Sequence, residues 1–248
     1  MNFSTLLLLG SIVVPAVVSI LLFCGYPRSE NLVSRLGYLA FGFPCIAGIL
    51  LFLQFDSSVT GYSFEFLIER MGLQELGITF HLGLNGVSSP LFAMAGIVGL
   101  GAGLAAIHSG ADRMRLYLAL LALMQSGLMG LFASVDLFFY YLFHEFALIP
   151  TFIMIGLWGG RDRRSISLEI TIYLTLGALV SLCGLVALNA MVDSPKFDFP
   201  SLSAALAETS LSGISASTIF GLLLFTRKSS GEKIRKSGGN RNGDKSVH

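Results

Sequence analysis

Glu145 is a single carboxylate near the middle of FFYYLFHEFALIPTFIMIGLWGG (138–160), an apolar run about as long as a bilayer is thick. A charge at that depth costs on the order of 2.5–3.5 kcal/mol on insertion scales, so such residues face protein or water and carry function. The chemistry open to it is proton exchange, because apolar burial favours a neutral carboxyl group while water or a cation favours a charged one. The other reading is a structural helix–helix contact held by hydrogen bonds. Five residues on, Pro150 has no N–H to give the Phe146 carbonyl, and an acid beside a broken hydrogen-bond ladder suggests a wet site.

Weaker candidates surround it. His144 lies about 100° away around the same helix, so the two side chains do not share one face. Asp136 begins the run and reads as a helix-start residue. Glu169, near Arg164, fits either a surface ion pair or a proton relay. His81, Asn85, Ser88 and Ser89 open a third apolar run, and Gln125 and Ser126 interrupt a fourth. These could line a hydrated path, or each could bond a neighbouring helix. Metal-ligand spacing, a nucleophile elbow, a phosphate loop and a nucleic-acid patch are all missing, so soluble-enzyme chemistry and nucleic-acid partners are not expected.

The elements that must hold these residues are membrane helices. Of 248 residues 54% are hydrophobic and 12% charged, and the mean hydropathy is +0.75, values outside the range of soluble domains. The apolar runs are continuous, not alternating, which predicts an all-α, polytopic transmembrane bundle of about seven helices. The expected spans are 3–24, 36–55, 82–108, 116–134, 137–158, 168–192 and 211–226. The first lacks a preceding Lys or Arg and outlasts a signal-peptide core, so it reads as a retained helix. Cys24, Cys45 and Cys183 lie in apolar runs and read as packing residues.

Arg28, Arg35, Arg113, Arg115, Arg161, Arg163 and Arg164 fall in alternate connections, and the tail adds seven more basic residues from Arg227 to Lys245. By the positive-inside rule this puts the N-terminus outside and the C-terminal tail in the cytoplasm, in a multi-pass membrane protein. The connection 56–81 mixes aromatic and acidic residues and reads as a folded loop or a short amphipathic piece at the outer surface. Gly99 and Gly103 share a helix face and suit close packing, not a dinucleotide fold. The organisation is thus a transmembrane domain, 1–226, followed by a polar, basic and disordered tail, 227–248. That tail is either simply solvated or drawn to anionic lipid.

Three stretches carry a resemblance. HLGLNGVSSPLF (81–92), the 138–160 run and SISLEITIYLTLGALVSLCGLVAL (165–188) resemble the antiporter-like subunits of respiratory complex I, and the Glu-x-x-Leu-Ile-Pro stretch ending in Leu-Trp-Gly is most similar to chain M, or subunit 4. The resemblance covers about residues 1–226 and implies the first half of a family fold built from inverted repeats. It implies that Glu145 matches the fifth-helix glutamate, which works with a seventh-helix lysine in coupling quinone reduction to proton pumping. It further implies an enzyme complex whose NADH, FMN, iron–sulfur clusters and quinone are held by other membrane and peripheral subunits, with no cofactor in this chain. FGLLLFT (220–226) resembles the start of the seventh helix, but the lysine and the Trp-Leu-Pro signature do not follow, and Lys228 is not at the matching depth. Asn85 stands where the family usually has Asp, and Glu169 where it often has Lys. Two other readings stay open: a cation/proton antiporter subunit, and a truncated, inactive fragment.

Overall fold

A computed structural model describes residues 2–27, 29–56, 61–68, 78–110, 112–160, 162–192 and 198–208. The predicted span 211–226, Lys228 and the tail 227–248 lie outside the described residues. Along the chain run α1 (Phe3–Phe23), α2 (Glu30–Gln54), β1 (Ser63–Ile68), β2 (Phe80–Leu84), α3 (Ser88–His108), α4 (Met114–Ala133), α5 (Leu137–Trp158), α6 (Arg163–Val192) and α7 (Phe199–Glu208). The first six helices are long and apolar enough to cross a membrane. The helical, polytopic expectation holds. The seventh helix among the described residues, α7, is a short piece after α6, not the span expected at 211–226.

The chain forms two compact units. The first holds Met1–Ser167 and Lys196–Phe199. In it α4 packs against α1, α3 and α5, while α2 bridges α1 and α3. Each helix buries one face and leaves the other apolar and exposed. On α1, Leu8, Ser11, Ile12, Pro15, Val18, Ser19 and Leu22 are buried, whereas Leu6, Val13, Val17 and Ile20 point outward at 47–60% exposure. An outward apolar stripe would be a liability in water and is the expected surface in lipid. Pro15, Pro44 and Pro150 all sit inside helices, as membrane helices tolerate. The second unit holds the remainder of α6 and α7 from Pro200. Its α6 segment carries exposed Leu168, Ile172, Leu176 and Leu179 at helical spacing.

Several boundaries depart from the apolar-run reading: α2 begins at Glu30 and α6 at Arg163, earlier than the expected 36 and 168, and the connection before α3 is not a plain loop. The 56–81 connection contributes β1, which pairs antiparallel with β2 and places Leu67 opposite His81 and Phe66 opposite Leu82. Phe80, Leu82 and Leu84 alternate, and Leu82 and Leu84 are fully buried in a core with Phe92, Met129, Phe139 and Phe143. Period two makes a strand, so α3 starts at Ser88, not at residue 82. The break is Asn85-Gly86: the Asn85 Oδ1 accepts from the N–H groups of Val87 (3.0 Å) and Ser88 (2.7 Å), and the Asn85 N–H donates to Ser88 Oγ (2.9 Å). Asn85 therefore has a local capping role.

The link between α4 and α5 is tied into this small sheet. The Val135 N–H donates to the His81 carbonyl at 3.0 Å, and the Phe199 N–H donates to the Val135 carbonyl at 3.2 Å. Asp136, fully buried, is the N-cap of α5 as its position suggested: its Oδ1 accepts from Phe138 (2.8 Å) and Phe139 (3.3 Å), and its Oδ2 from the Thr79 N–H (3.0 Å). Burial pushes this carboxyl up from its ordinary 3.8, with nearby Asp198 adding to the rise and the three N–H donors opposing it. At the other end, Arg115 donates to the Gly25 carbonyl (3.2 Å) and the Trp158 Nε1–H to the Asp112 carbonyl (2.9 Å), gathering basic connections at one end of the bundle.

Replacing Asp136 with Ala removes a cap and the Thr79 tie and should cost about 1–2 kcal/mol. Asp136→Asn should cost less, since its amide oxygen can still cap α5. The folded carboxyl binds its proton more tightly than the unfolded one, so its contribution is fully present below pH 3.8 and is lost as pH rises through the folded value. Thermal unfolding in detergent across that window should therefore show a decline in the native chain that Asp136→Asn lacks.

Candidate functional site

Glu145 lies just above the middle of α5, and packing decides which way it points. The α5 residues buried in the bundle are Leu137, Phe139, Phe143, Ala147 and Pro150. Four of these, Phe139 to Pro150, fall on one stripe at i, i+4, i+8 and i+11, the stripe that meets α4. Glu145 is about 200° from Phe143 around the helix, so it sits on the side of α5 turned away from α4. The α4 contact is close because two residues there have no side chain. A Cβ on Gly127 would come within 2.7 Å of the Ala147 nitrogen, 2.9 Å of the Phe146 carbonyl carbon and 3.0 Å of the Phe143 carbonyl oxygen. Gly130 likewise lies against the Phe143 ring. The turn that carries Glu145 is thus seated, backbone to backbone, on α4.

The Glu145 residue is half-buried, and its Oε1 is sealed from solvent with no hydrogen-bond partner among the described residues. His144 Nδ1 is in the same condition, and its ring stacks on Tyr141 with centroids 6.4 Å apart. One turn below, Thr151 Oγ1 donates back to the Ala147 carbonyl at 2.9 Å and lies 3.3 Å from Met124 Sδ. An unpaired carboxylate oxygen in such surroundings is an acceptor for a proton, a water or a cation. Glu169, the third candidate, is exposed on the second turn of α6, in the other compact unit.

Ser89 Oγ, at the start of α3, and Asn189 Oδ1, on α6, are likewise sealed from solvent with no partner among the described residues, whereas the polar residues of α4 serve packing. Gln125, 2% exposed, donates from Nε2 to the Ala95 carbonyl of α3 at 3.3 Å. Ser126 donates to the Ile12 carbonyl of α1 at 2.8 Å, and Ser19 of α1 donates to the Ala119 carbonyl of α4 at 2.7 Å. These are helix–helix bonds, not the lining of a hydrated path. His81 Nε2 lies 3.0 Å from Glu65 Oε2 across the sheet, away from Glu145's helix turn. Gly99 and Gly103 are packing residues: the first lies under Gln125 and the second under Phe41. Gly127 and Gly130 were not singled out from sequence, although they carry the same small-residue signal. Of the cysteines, Cys45 is buried, while Cys24 and Cys183 are exposed.

The described residues thus give six membrane-capable helices, with one acid on the side of the fifth turned away from α4. Comparison with known proteins relates the chain to M subunits of oxidoreductase complexes. The chain is 32% identical over 148 residues to NADH-quinone oxidoreductase subunit M of Rickettsia felis, covering 59% of this chain and 29% of that protein. It is 30% identical over 200 residues to F(420)H(2) dehydrogenase subunit M of Methanosarcina mazei, covering 78% of this chain and 39% of that one. A chain of respiratory complex I from Thermus thermophilus with bound NADH superposes with a TM-score of 0.70 at 27% identity, over 87% of this chain and 43% of that chain. A chain of the Mrp complex from Dietzia sp. shares the fold, with a TM-score of 0.72 at 18% identity. No family model matches. The chain is related to the M subunits, as its motifs indicated, and spans less than half the length of the relatives it matches.

Gly127→Ala tests the seat of the Glu145 turn. The added methyl meets α5 backbone that cannot move aside cheaply, and overpacking of this kind costs about 1–3 kcal/mol. Gly101→Ala, where a Cβ meets nothing within 4 Å, should be neutral or slightly stabilising. Melting temperatures of the two variants in detergent should differ in that order.

Proposed function

We propose that the chain is a membrane subunit of a proton-pumping NADH-quinone oxidoreductase and takes part in proton translocation coupled to NADH oxidation and quinone reduction. The observation that carries this reading is the similarity to the M subunits over a fold whose fifth helix holds one acid with a sealed Oε1 that has no partner among the described residues. Glu145 is the proton-carrying group, and it takes a proton at Oε1 and releases it to water or to a neighbouring polar side chain. His144 and Glu169 are secondary candidates for that relay. α4 fixes the depth of the turn through Gly127, while Pro150 leaves the Phe146 carbonyl as a second acceptor within a turn of the acid. Backbone that is not fully paired is tolerated at this depth only where protein or a water-filled cavity lies beside it.

The redox chemistry belongs to partners. NADH, FMN, iron–sulfur clusters and quinone sit in other membrane and peripheral subunits of the assembly, and this chain holds no cofactor. The site is the cell inner membrane, with the N-terminus outside. The basic residues gathered at the Arg115 and Trp158 end of the bundle support that orientation. A second reading, a subunit of a cation/proton antiporter, draws on the likeness of fold to the Mrp complex chain.

Glu145→Gln keeps the size of the side chain and removes the exchangeable charge. In the assembled complex it should lower the rate of NADH-driven proton uptake by about tenfold, equivalent to about 1.4 kcal/mol of barrier, while NADH oxidation by a soluble acceptor stays unchanged. Pumping equal to wild type would remove Glu145 from the mechanism. A sodium-dependent proton flux without any NADH-oxidising partner would favour the antiporter reading.

A further inference from the structure

At the end of the bundle where α3 and α5 begin and α4 finishes, the first unit holds a cavity of about 300 Å³. Its walls include Tyr62, Leu91, Leu131, Phe132, Tyr140 and Phe199. The Tyr140 and Phe199 rings meet edge to face at 5.6 Å. The rim residue Val87 is 72% exposed, and it heads a stripe on α3 at i, i+4, i+7 and i+11: Val87, Leu91, Met94 and Val98. Met94 and Val98 are 54% and 63% exposed, so the cavity opens onto an exposed apolar strip of α3.

We propose that this cavity takes the ester end of one phospholipid acyl chain from the adjoining leaflet, and that the chain runs on down the Val87–Val98 strip. Apolar burial alone does not separate the cavity from bulk lipid, since both are hydrocarbon. An empty notch beside lipid, however, forfeits the contacts its walls could make. Four aromatic rings give flat surfaces to a methylene chain. The Ser88 hydroxyl, which also lines the cavity, accepts from the Asn85 N–H and keeps its own hydrogen to give to an ester carbonyl. The phosphate is not held here. Asn85 already accepts from the Val87 and Ser88 N–H groups through Oδ1 and from the Ser89 N–H through its carbonyl, Pro90 has none, and among the described residues no Lys or Arg lines the cavity. The ligand is therefore recognised by its chain and ester.

The full chain in phosphatidylcholine nanodiscs, doped with a phosphatidylcholine carrying a diazirine near its acyl carbonyl, provides the test. Mapped crosslinks should concentrate at Leu91, Phe132 and Tyr140 by about tenfold over Ile97, which faces bulk lipid, a preference of about one decade in affinity. Leu91→Trp fills the mouth and should remove that enrichment. Val87→Trp, at an exposed rim where folding is not at stake, should lower it as well. Labelling spread along α3 in proportion to exposure, or enrichment indifferent to both variants, would overturn the proposal. So would labelling of the same residues by a water-soluble diazirine alone, which would make the cavity an aqueous vestibule.

Discussion

Lipid chains offer no hydrogen bonds, so every polar group placed in the hydrocarbon region of a bilayer must be answered by protein or by water held in a protein cavity. That constraint explains why α4 is the hub. It collects a hydroxyl bond from α1, gives another back and gives an amide bond to α3, and its glycines bring α5 into backbone contact. Each bond is made to a main-chain carbonyl, which fixes the depth of one helix against the next. Of the few buried groups left without a partner among the described residues, which also include His144 Nδ1, Ser89 Oγ and Asn189 Oδ1, Glu145 is the acid. Its Oε1 is sealed from solvent and yet has no partner among the described residues, on the one side of α5 that α4 does not touch.

The opposite design governs the end of the bundle where α5 begins. There Asp136 is buried with its oxygens met by three backbone N–H groups, and the extended link around it pairs with β2 and with the chain at Phe199. One acid is held by its neighbours and serves architecture. The other is left unpaired inside the span, where an exchangeable proton is the ligand that suits it. Both are aspartate or glutamate on the same helix, nine residues apart, so residue type alone does not separate them.

Much of this could be read from the chain because a bilayer makes hydropathy a strong signal. Residues 137–158 were bounded correctly, and α1 and α4 differ from expectation by one or two residues. The early start of α2 at Glu30 lies in a polar stretch that a search for apolar runs passes over. The β1–β2 pair escaped because Phe64, Phe66, Phe80 and Leu82 alternate over only a few residues among acids, a pattern shared by short amphipathic helices. Asp136 was legible as a helix start. For Gln125 and Ser126 the sequence left two roles open, and only the distances to Ala95 and Ile12 decide between them. The depth of Glu145 could be counted along the chain, but its facing depends on Gly127 and Gly130, whose meaning appears only once α4 and α5 are side by side.

Whether Glu145 exchanges a proton within the membrane can be observed directly by infrared difference spectroscopy on the full chain in lipid nanodiscs during a change of pH. The account predicts a carboxyl carbonyl band in the native protein that titrates, moves in heavy water and disappears from the Glu145→Gln difference spectrum. Identical titration spectra from the native and substituted chains would contradict it.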